Sequence, residues 1–124
     1  SRRRAGEGRV MRILVVEDEP LLAMLLEESL EDLGHEMVGV AATVAQADAI
    51  LDGHVVDAAF LDFSLADDAT SVPVAERLRR EGKPFYYVSG YNSIEPNGSA
   101  PEAPLLSKPF SLSALKDALD AMEA

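Results

Sequence analysis

The stretch from Val55 to Leu65, VVDAAFLDFSL, constrains this chain most. It is a short apolar run bounded by Gly53 on one side and Asp67-Asp68 on the other, and it carries a carboxylate, Asp62, near its end. A run this short and apolar, closed by turn residues, fits a strand buried on both faces of a parallel sheet. The strand is expected over Asp57 to Leu61, so that Asp62 stands where it leaves the sheet. In open α/β sheets, ligands collect at the carboxyl ends of the strands. Taken alone, an Asp there is more often a helix cap or a turn residue. Its meaning depends on what the other strands carry at the same end.

Taken in order, the chain alternates strand and helix. Arg12 to Val16 is β-branched and apolar and reads as a first strand, ending in Glu17-Asp18-Glu19. Pro20 suits the first turn of a helix. Leu22, Leu25, Leu26, Ser29 and Leu33 give that helix an inner face, and Gly34 closes it. Met37 to Ala41 is a second strand. Thr43-Val44-Ala45-Gln46 is a capping box opening a helix with Ala47, Ile50 and Leu51 inward. After Asp62 comes a loop of small and acidic residues, Ser64 to Thr70. Ser71 is expected to cap a helix with Val74, Ala75 and Leu78 inward. Phe85 to Ser89 is a fourth strand, stopped by Gly90. Leu105-Leu106 is a short fifth strand, followed by a Lys108-Pro109-Phe110 turn. Ser111 opens a last helix with Leu112, Leu115, Leu119 and Met122 on one face. Regular alternation of this kind predicts a parallel sheet with helices on both faces.

At 124 residues the chain suffices for one domain with a real core. With no cysteine, disulfides and thiolate metal sites are excluded. No apolar run reaches the roughly 20 residues that cross a bilayer, and no apolar stretch follows the basic start as in a secretory signal. A cytoplasmic protein without membrane insertion is expected. Residues 1–10 hold four Arg and one Glu, which leaves −14 of the total charge of −11 on the rest. A body so acidic repels nucleic acid. The start is read as a basic leader, disordered or foreign to the natural sequence, because Met11-Arg12-Ile13-Leu14-Val15-Val16 resembles a natural beginning.

The strand ends converge. The first strand delivers Glu17 and Asp18, the third Asp62, the fourth Ser89 and the fifth Lys108. Each has a plain structural explanation: acids at a helix N-terminus, a turn serine, a solvated lysine. No structural account predicts all of them on one sheet edge. Three clustered acids repel one another and call for a cation, and Mg²⁺ suits a site of carboxylates, waters and phosphate oxygens. A carboxylate beside such an ion can act as a nucleophile toward phosphorus, with Lys108 adding positive charge and Ser89 a hydroxyl donor.

These residues resemble a family, the response-regulator receiver domains of two-component signalling. The resemblance rests on Val15-Val16-Glu17-Asp18-Glu19, Phe60-Leu61-Asp62, Val88-Ser89-Gly90 and Ser107-Lys108-Pro109-Phe110, and covers residues 11–124. It implies a flavodoxin-like, doubly wound five-stranded parallel sheet of order 2-1-3-4-5. It implies that Asp62 is the phosphoacceptor, that Asp18 ligates Mg²⁺ directly and Glu17 through water, and that the backbone carbonyl of Ser64 completes the metal site. Ser89 is then the switch hydroxyl and Lys108 the phosphate-binding lysine. The expected function is that of a stand-alone receiver, not an enzyme in its own right, which takes a phosphoryl group from a histidine kinase. Its output is then a partner protein or onward phosphotransfer. A monomer or weak dimer is expected.

The chain departs from the commonest pattern in three places. The loop after Asp62 lacks the usual Pro and Gly, the switch aromatic before the lysine is replaced by Leu105, and the fourth helix is short or irregular. Pro84-Phe85-Tyr86-Tyr87-Val88-Ser89-Gly90-Tyr91 instead looks like the signature of the FAT GUY subfamily, which works with kinases of the HWE and related classes. Tyr91 is then either a substitute switch aromatic or an ordinary surface tyrosine. Tyr91 to Ala103 shows no apolar helical spacing and is expected to be weakly held and to respond to phosphorylation. Two other readings compete: a Mg²⁺-dependent phosphatase with an Asp nucleophile, against which Ser64 stands where a second Asp is usual, and a degenerate receiver that only binds, against which the full set of acids, Ser89 and Lys108 stands.

Overall fold

Side chains alternate across each strand, and in this protein both sides of the alternation are apolar. The computed structural model describes residues 9–90 and 100–123. Their elements are β1 (Arg12–Val16), α1 (Pro20–Asp32), β2 (Glu36–Ala41), α2 (Val44–Gly53), β3 (Ala58–Asp62), α3 (Val72–Arg80), β4 (Phe85–Ser89), β5 (Leu105–Ser107) and α4 (Leu112–Glu123). The five strands form one parallel sheet in the order β2-β1-β3-β4-β5. This is the flavodoxin-like topology expected from the sequence.

Two cores follow from the alternation. Leu14 and Val16 of β1, Ala59 and Leu61 of β3, and Phe85 and Tyr87 of β4 point to one face, where Ala47 and Leu51 of α2 and Val74, Ala75 and Leu78 of α3 cover them. Ile13 and Val15, Ala58 and Phe60, and Val88 point to the other, under Leu26 and Leu30 of α1 and Leu115, Ala118 and Leu119 of α4. Each large side chain so buried stabilises the fold by about 1.5–3 kcal/mol. The central position of β3 is what fixes Asp62: it pairs Val88 of β4 at the last rung of the ladder.

The elements differ from the sequence expectation in instructive places. β3 runs one residue further than expected and includes Asp62, and β2 begins one residue earlier at Glu36. In α1, Ala23, Leu26 and Leu30 are the buried residues, while Leu25 is 50% exposed and Leu21 and Met24 also face outward. In α4, Leu112 is 49% exposed and Ala118 takes a place in the core. Ser71 stands at the N-cap of α3 as expected, its carbonyl accepting from the Ala75 amide, but its hydroxyl makes no cap: it is buried without a hydrogen-bond partner among the described residues, and Thr70 Oγ1 accepts from the Val72 amide. Thr43 does cap α2, its hydroxyl accepting from the Gln46 amide, and Gln46 Oε1 in return accepts from Ala42. Arg9 and Val10, placed in the leader by sequence, are described here, and the Arg9 amide donates to Glu123 Oε1 at 2.8 Å. Residues 1–8 lie outside the described residues, as does the segment 91–99 in which the fourth helix was expected to be short or irregular.

α1 ends on Gly34, whose φ of 91° is open to glycine, and His35 then turns inward. His35 Nδ1 accepts from the Met11 amide at 3.1 Å, ahead of β1, in a place shielded from water. Replacing His35 by Leu leaves that amide unpaired. The loss is expected to lower stability by about 1–3 kcal/mol, read as a shift in the urea midpoint at constant slope.

Candidate functional site

Parallel pairing sets the ends of β1 and β3 side by side, with Val16 opposite Leu61. The residues that follow are therefore brought together by the sheet itself. Glu17 is 2% exposed and Asp62 7% exposed, while Asp18 is half-buried. One carboxylate oxygen from each of Glu17, Asp18 and Asp62 lies within 4.8 Å of the others. Charges at such separations repel by roughly 3–4 kcal/mol per pair at an effective dielectric constant of 20. The arrangement is one that a hard, oxygen-seeking cation would relieve.

Part of the relief comes from β5. Lys108, which follows it, places Nζ 3.0 Å from Asp62 Oδ2 and 3.2 Å from Glu17 Oε1. The Lys108 amide donates to the Ser89 carbonyl at 2.8 Å, which continues the β4–β5 ladder to the lysine. The Lys108–Pro109 peptide is cis. One ammonium does not balance three acids. Burial is the main influence on Glu17 and pushes its carboxyl up to about 7; the Glu19 amide works against this, Asp62 adds to it, and Lys108 opposes it. For Lys108, burial disfavours the charge, but the hydrogen bond and attraction of Asp62, joined by Glu17, outweigh it and hold the ammonium above its usual range.

The remaining expected residues take distinct places. The Ser64 amide donates to Asp62 Oδ1 at 3.2 Å, so the loop after β3 folds back on the carboxylate. That loop turns without Pro or Gly because Asp67 and Asp68 both adopt φ of 61°, a left-handed conformation that Asp tolerates better than most residues, and the Leu65 amide closes it onto the Ala69 carbonyl. Ser89 sits at the same sheet edge, its hydroxyl 3.5 Å from the Gly90 carbonyl, a weak contact. Leu105, where an aromatic is common, is exposed at the edge strand. Tyr91 lies outside the described residues.

One residue went unnoticed in the sequence. Tyr87 is buried between Phe63 and Phe85, with its hydroxyl donating to the Pro101 carbonyl at 2.9 Å. Burial, the largest influence, pushes this phenol above its ordinary range, so it is a donor at neutral pH. The signal available was the alternation of Phe85 and Tyr87 on one face of the fourth strand. Ala100 is buried in the same cluster, so the described end of the 91–103 segment is held more firmly than expected.

The family model described as response regulator receiver domain matches residues 13–120. Among curated proteins, the phyllosphere-induced regulator PhyR of Methylorubrum extorquens is 38% identical over 101 residues, covering 79% of this chain and 38% of that protein. Among solved structures, SdrG from Sphingomonas melonis Fr1 is similar with a TM-score of 0.82 at 39% identity, covering 93% of this chain and 98% of SdrG. The anti-anti-sigma factor PhyR from Bartonella quintana gives a TM-score of 0.78 at 28% identity, over 89% of this chain and 46% of that one. The chain thus spans well under half the length of the curated relatives it matches.

The buried Glu17 has a consequence for stability. Its carboxyl is raised in the fold from 4.5 to about 7, so between those values the native state holds a proton that the unfolded chain has released. Metal-free stability attributable to Glu17 therefore falls as pH rises through that window. Glu17→Gln removes the effect, and the variant is expected to gain on the parent by on the order of 1–2 kcal/mol across it, allowing for screening. Chemical denaturation in chelator at a series of pH values checks this; parallel curves for the two proteins would contradict it.

Proposed function

This chain belongs to the family of response regulator receiver domains, and we propose that it accepts a phosphoryl group on Asp62 in a Mg²⁺-dependent reaction. The carrying observation is the carboxylate of Asp62 at the end of the central strand, with Glu17 and Asp18 around it and Lys108 on its Oδ2. The donor is a phosphohistidine of a histidine kinase, and the Pro84–Tyr91 signature points to one of the HWE class. An Asp62 carboxylate oxygen attacks phosphorus, the P–N bond breaks, its electrons return to the imidazole, and an acyl phosphate remains. Such transfers depend on positioning and charge neutralisation.

Asp18, Asp62 and the Ser64 carbonyl would hold Mg²⁺, with Glu17 acting through water; the hard oxygen donors and their excess negative charge fit that ion. When bound, Mg²⁺ supplies positive charge to the phosphoryl oxygens. Lys108 holds Asp62 in place beforehand and then pairs with the phosphoryl group. The Ser64 amide orients the Asp62 carboxylate from the other side. Ser89 stands at the same edge, and its hydroxyl turns from the Gly90 carbonyl to the phosphoryl group. The chain assists its own phosphorylation and dephosphorylation and is otherwise not an enzyme.

Signalling passes to a partner protein or by onward phosphotransfer. Likeness to part of a protein described as an anti-anti-sigma factor supports an output through protein contact. The acidic body argues against nucleic acid as the partner. No helix among the described residues is long and apolar enough to cross a membrane, and we place the protein in the cytoplasm, as a monomer or weak dimer.

Two measurements test the reading. With a small phosphodonor and Mg²⁺, phosphate-affinity gels should show a single shifted band that Asp62→Asn abolishes; undiminished label in that variant would move the acceptor elsewhere. Millimolar Mg²⁺ should raise the melting temperature of the parent, following RT ln(1 + [L]/Kd), and the increment should vanish in Asp18→Asn. The comparison is of increments, because removing one acid relieves repulsion and stabilises the metal-free protein by itself.

A further inference from the structure

Phe63 follows Asp62 in the chain, and its ring joins the core under α2 and α3. There it meets Tyr87 edge-on, the ring centroids 5.8 Å apart at 74°. Phe85 meets Tyr87 from another side at 5.5 Å and 84°. The Tyr87 ring is 1% exposed and has no room to turn independently of these neighbours. Its two hydrogen-bond donors reach the same stretch of chain: Oη donates to the Pro101 carbonyl at 2.9 Å, and the amide donates to the Pro104 carbonyl at 3.0 Å. One residue thus holds both ends of the stretch 101–104. The Arg79 guanidinium holds its middle through the Glu102 carbonyl. That stretch leads into β5, whose first residue, Leu105, pairs Tyr87, and β5 leads to Lys108.

We propose that Tyr87 is a positioning residue that couples occupancy of Asp62 to the segment Ala100–Pro104, through the Phe63 ring on one side and the Pro101 carbonyl on the other. The proposal rests on Asp62 being the phosphoacceptor. A phosphoryl group on Asp62 alters the two contacts that border this path. The Ser64 amide, next to Phe63, loses or redirects its bond to Asp62, and Lys108 moves with the new oxygens. Both changes reach Tyr87, the first through packed rings and the second through the β4–β5 ladder. Close packing passes a small displacement on rather than absorbing it, and a ligand shifts a segment only where its contacts differ between two arrangements. Here the differing contact is the hydroxyl bond to Pro101. The exposed Leu105 has no equivalent bond to offer.

The test uses ¹H–¹⁵N spectra of the full chain with Mg²⁺, with and without beryllofluoride as the phosphoryl mimic. In the parent, the amides of Ser64 and Lys108 should shift on adding the mimic, and those of Ala100, Glu102 and Ala103 should shift with them. Tyr87→Phe keeps the ring and the ladder and removes only the hydroxyl. It should retain the shifts at Ser64 and Lys108 and lose those at Ala100, Glu102 and Ala103. Phe63→Leu, which cuts the path on its other side, should lose the same three. Equal responses of the three amides in parent and Tyr87→Phe would overturn the coupling alone. No response at Ser64 and Lys108 in the parent would overturn the phosphoacceptor reading and the coupling with it.

Discussion

The site depends on the meeting of one ammonium with two buried carboxylates at the edge of a parallel sheet. Lys108 bridges Asp62 and Glu17, which come from different strands and would otherwise repel each other and Asp18. The local hydrogen bonds, from the Glu19 amide to Glu17 and from the Ser64 amide to Asp62, each serve one acid and do not bring the acids together. The acids are held together because β1 and β3 pair in a fixed register and because apolar side chains on both faces of those strands are removed from water. The opposing terms are of similar order: a few kcal/mol of repulsion per acid pair against about 1.5–3 kcal/mol for each large buried side chain. The sheet carries many such side chains, so the cluster is tolerated, and the strained edge becomes a place where a cation has a large effect.

Much of this was legible in the sequence, and the reasons are physical. A parallel strand buried on both faces is a continuous apolar run, so the strands around Ile13, Phe60 and Val88 stood out, and the polar residues ending them had to lie on one edge. The same reasoning places Glu17, Asp18, Asp62, Ser89 and Lys108 together from the sequence alone. What it missed was direction. A run that is apolar throughout does not say which residue faces which core, so the stacking of Phe63, Tyr87 and Phe85 was hidden. Leucine spacing placed Leu26, Leu115 and Leu119 rightly but misplaced Leu25 and Leu112, which are exposed. The first helix carries Leu21, Leu22, Leu25, Leu26 and Leu30, enough for more than one stripe, and the sheet took Ala23, Leu26 and Leu30 because a small residue lets the helix approach closely. The start of α3 has the same origin: Ser71 holds the N-cap position, but of the two neighbouring hydroxyls it is that of Thr70 that backbone geometry turns to an amide of the helix start.

The loop between β3 and α3 shows how one demand is met by different chemistry. A chain leaving the sheet beside Asp62 must reverse within a few residues. Glycine is the usual means, since it enters the left-handed region without steric cost. Here two consecutive aspartates do it, at φ of 61° each, and they place two further negative charges on the exposed rim of an acidic edge. The geometry of the turn and the charge of the site are thus set by the same residues.

The fifth strand has three residues and one neighbour, whereas the third has five residues and two. Strands secured so differently do not open together: an edge of this length detaches locally at a fraction of the free energy that unfolds the centre. The lysine follows the short edge strand, and the acids stand at the ends of inner strands with two neighbours each. Each brief fraying of the edge therefore removes the ammonium from a carboxylate cluster that remains assembled. The resting charge balance of the site is accordingly a time average, governed by the hold of the sheet on its shortest member.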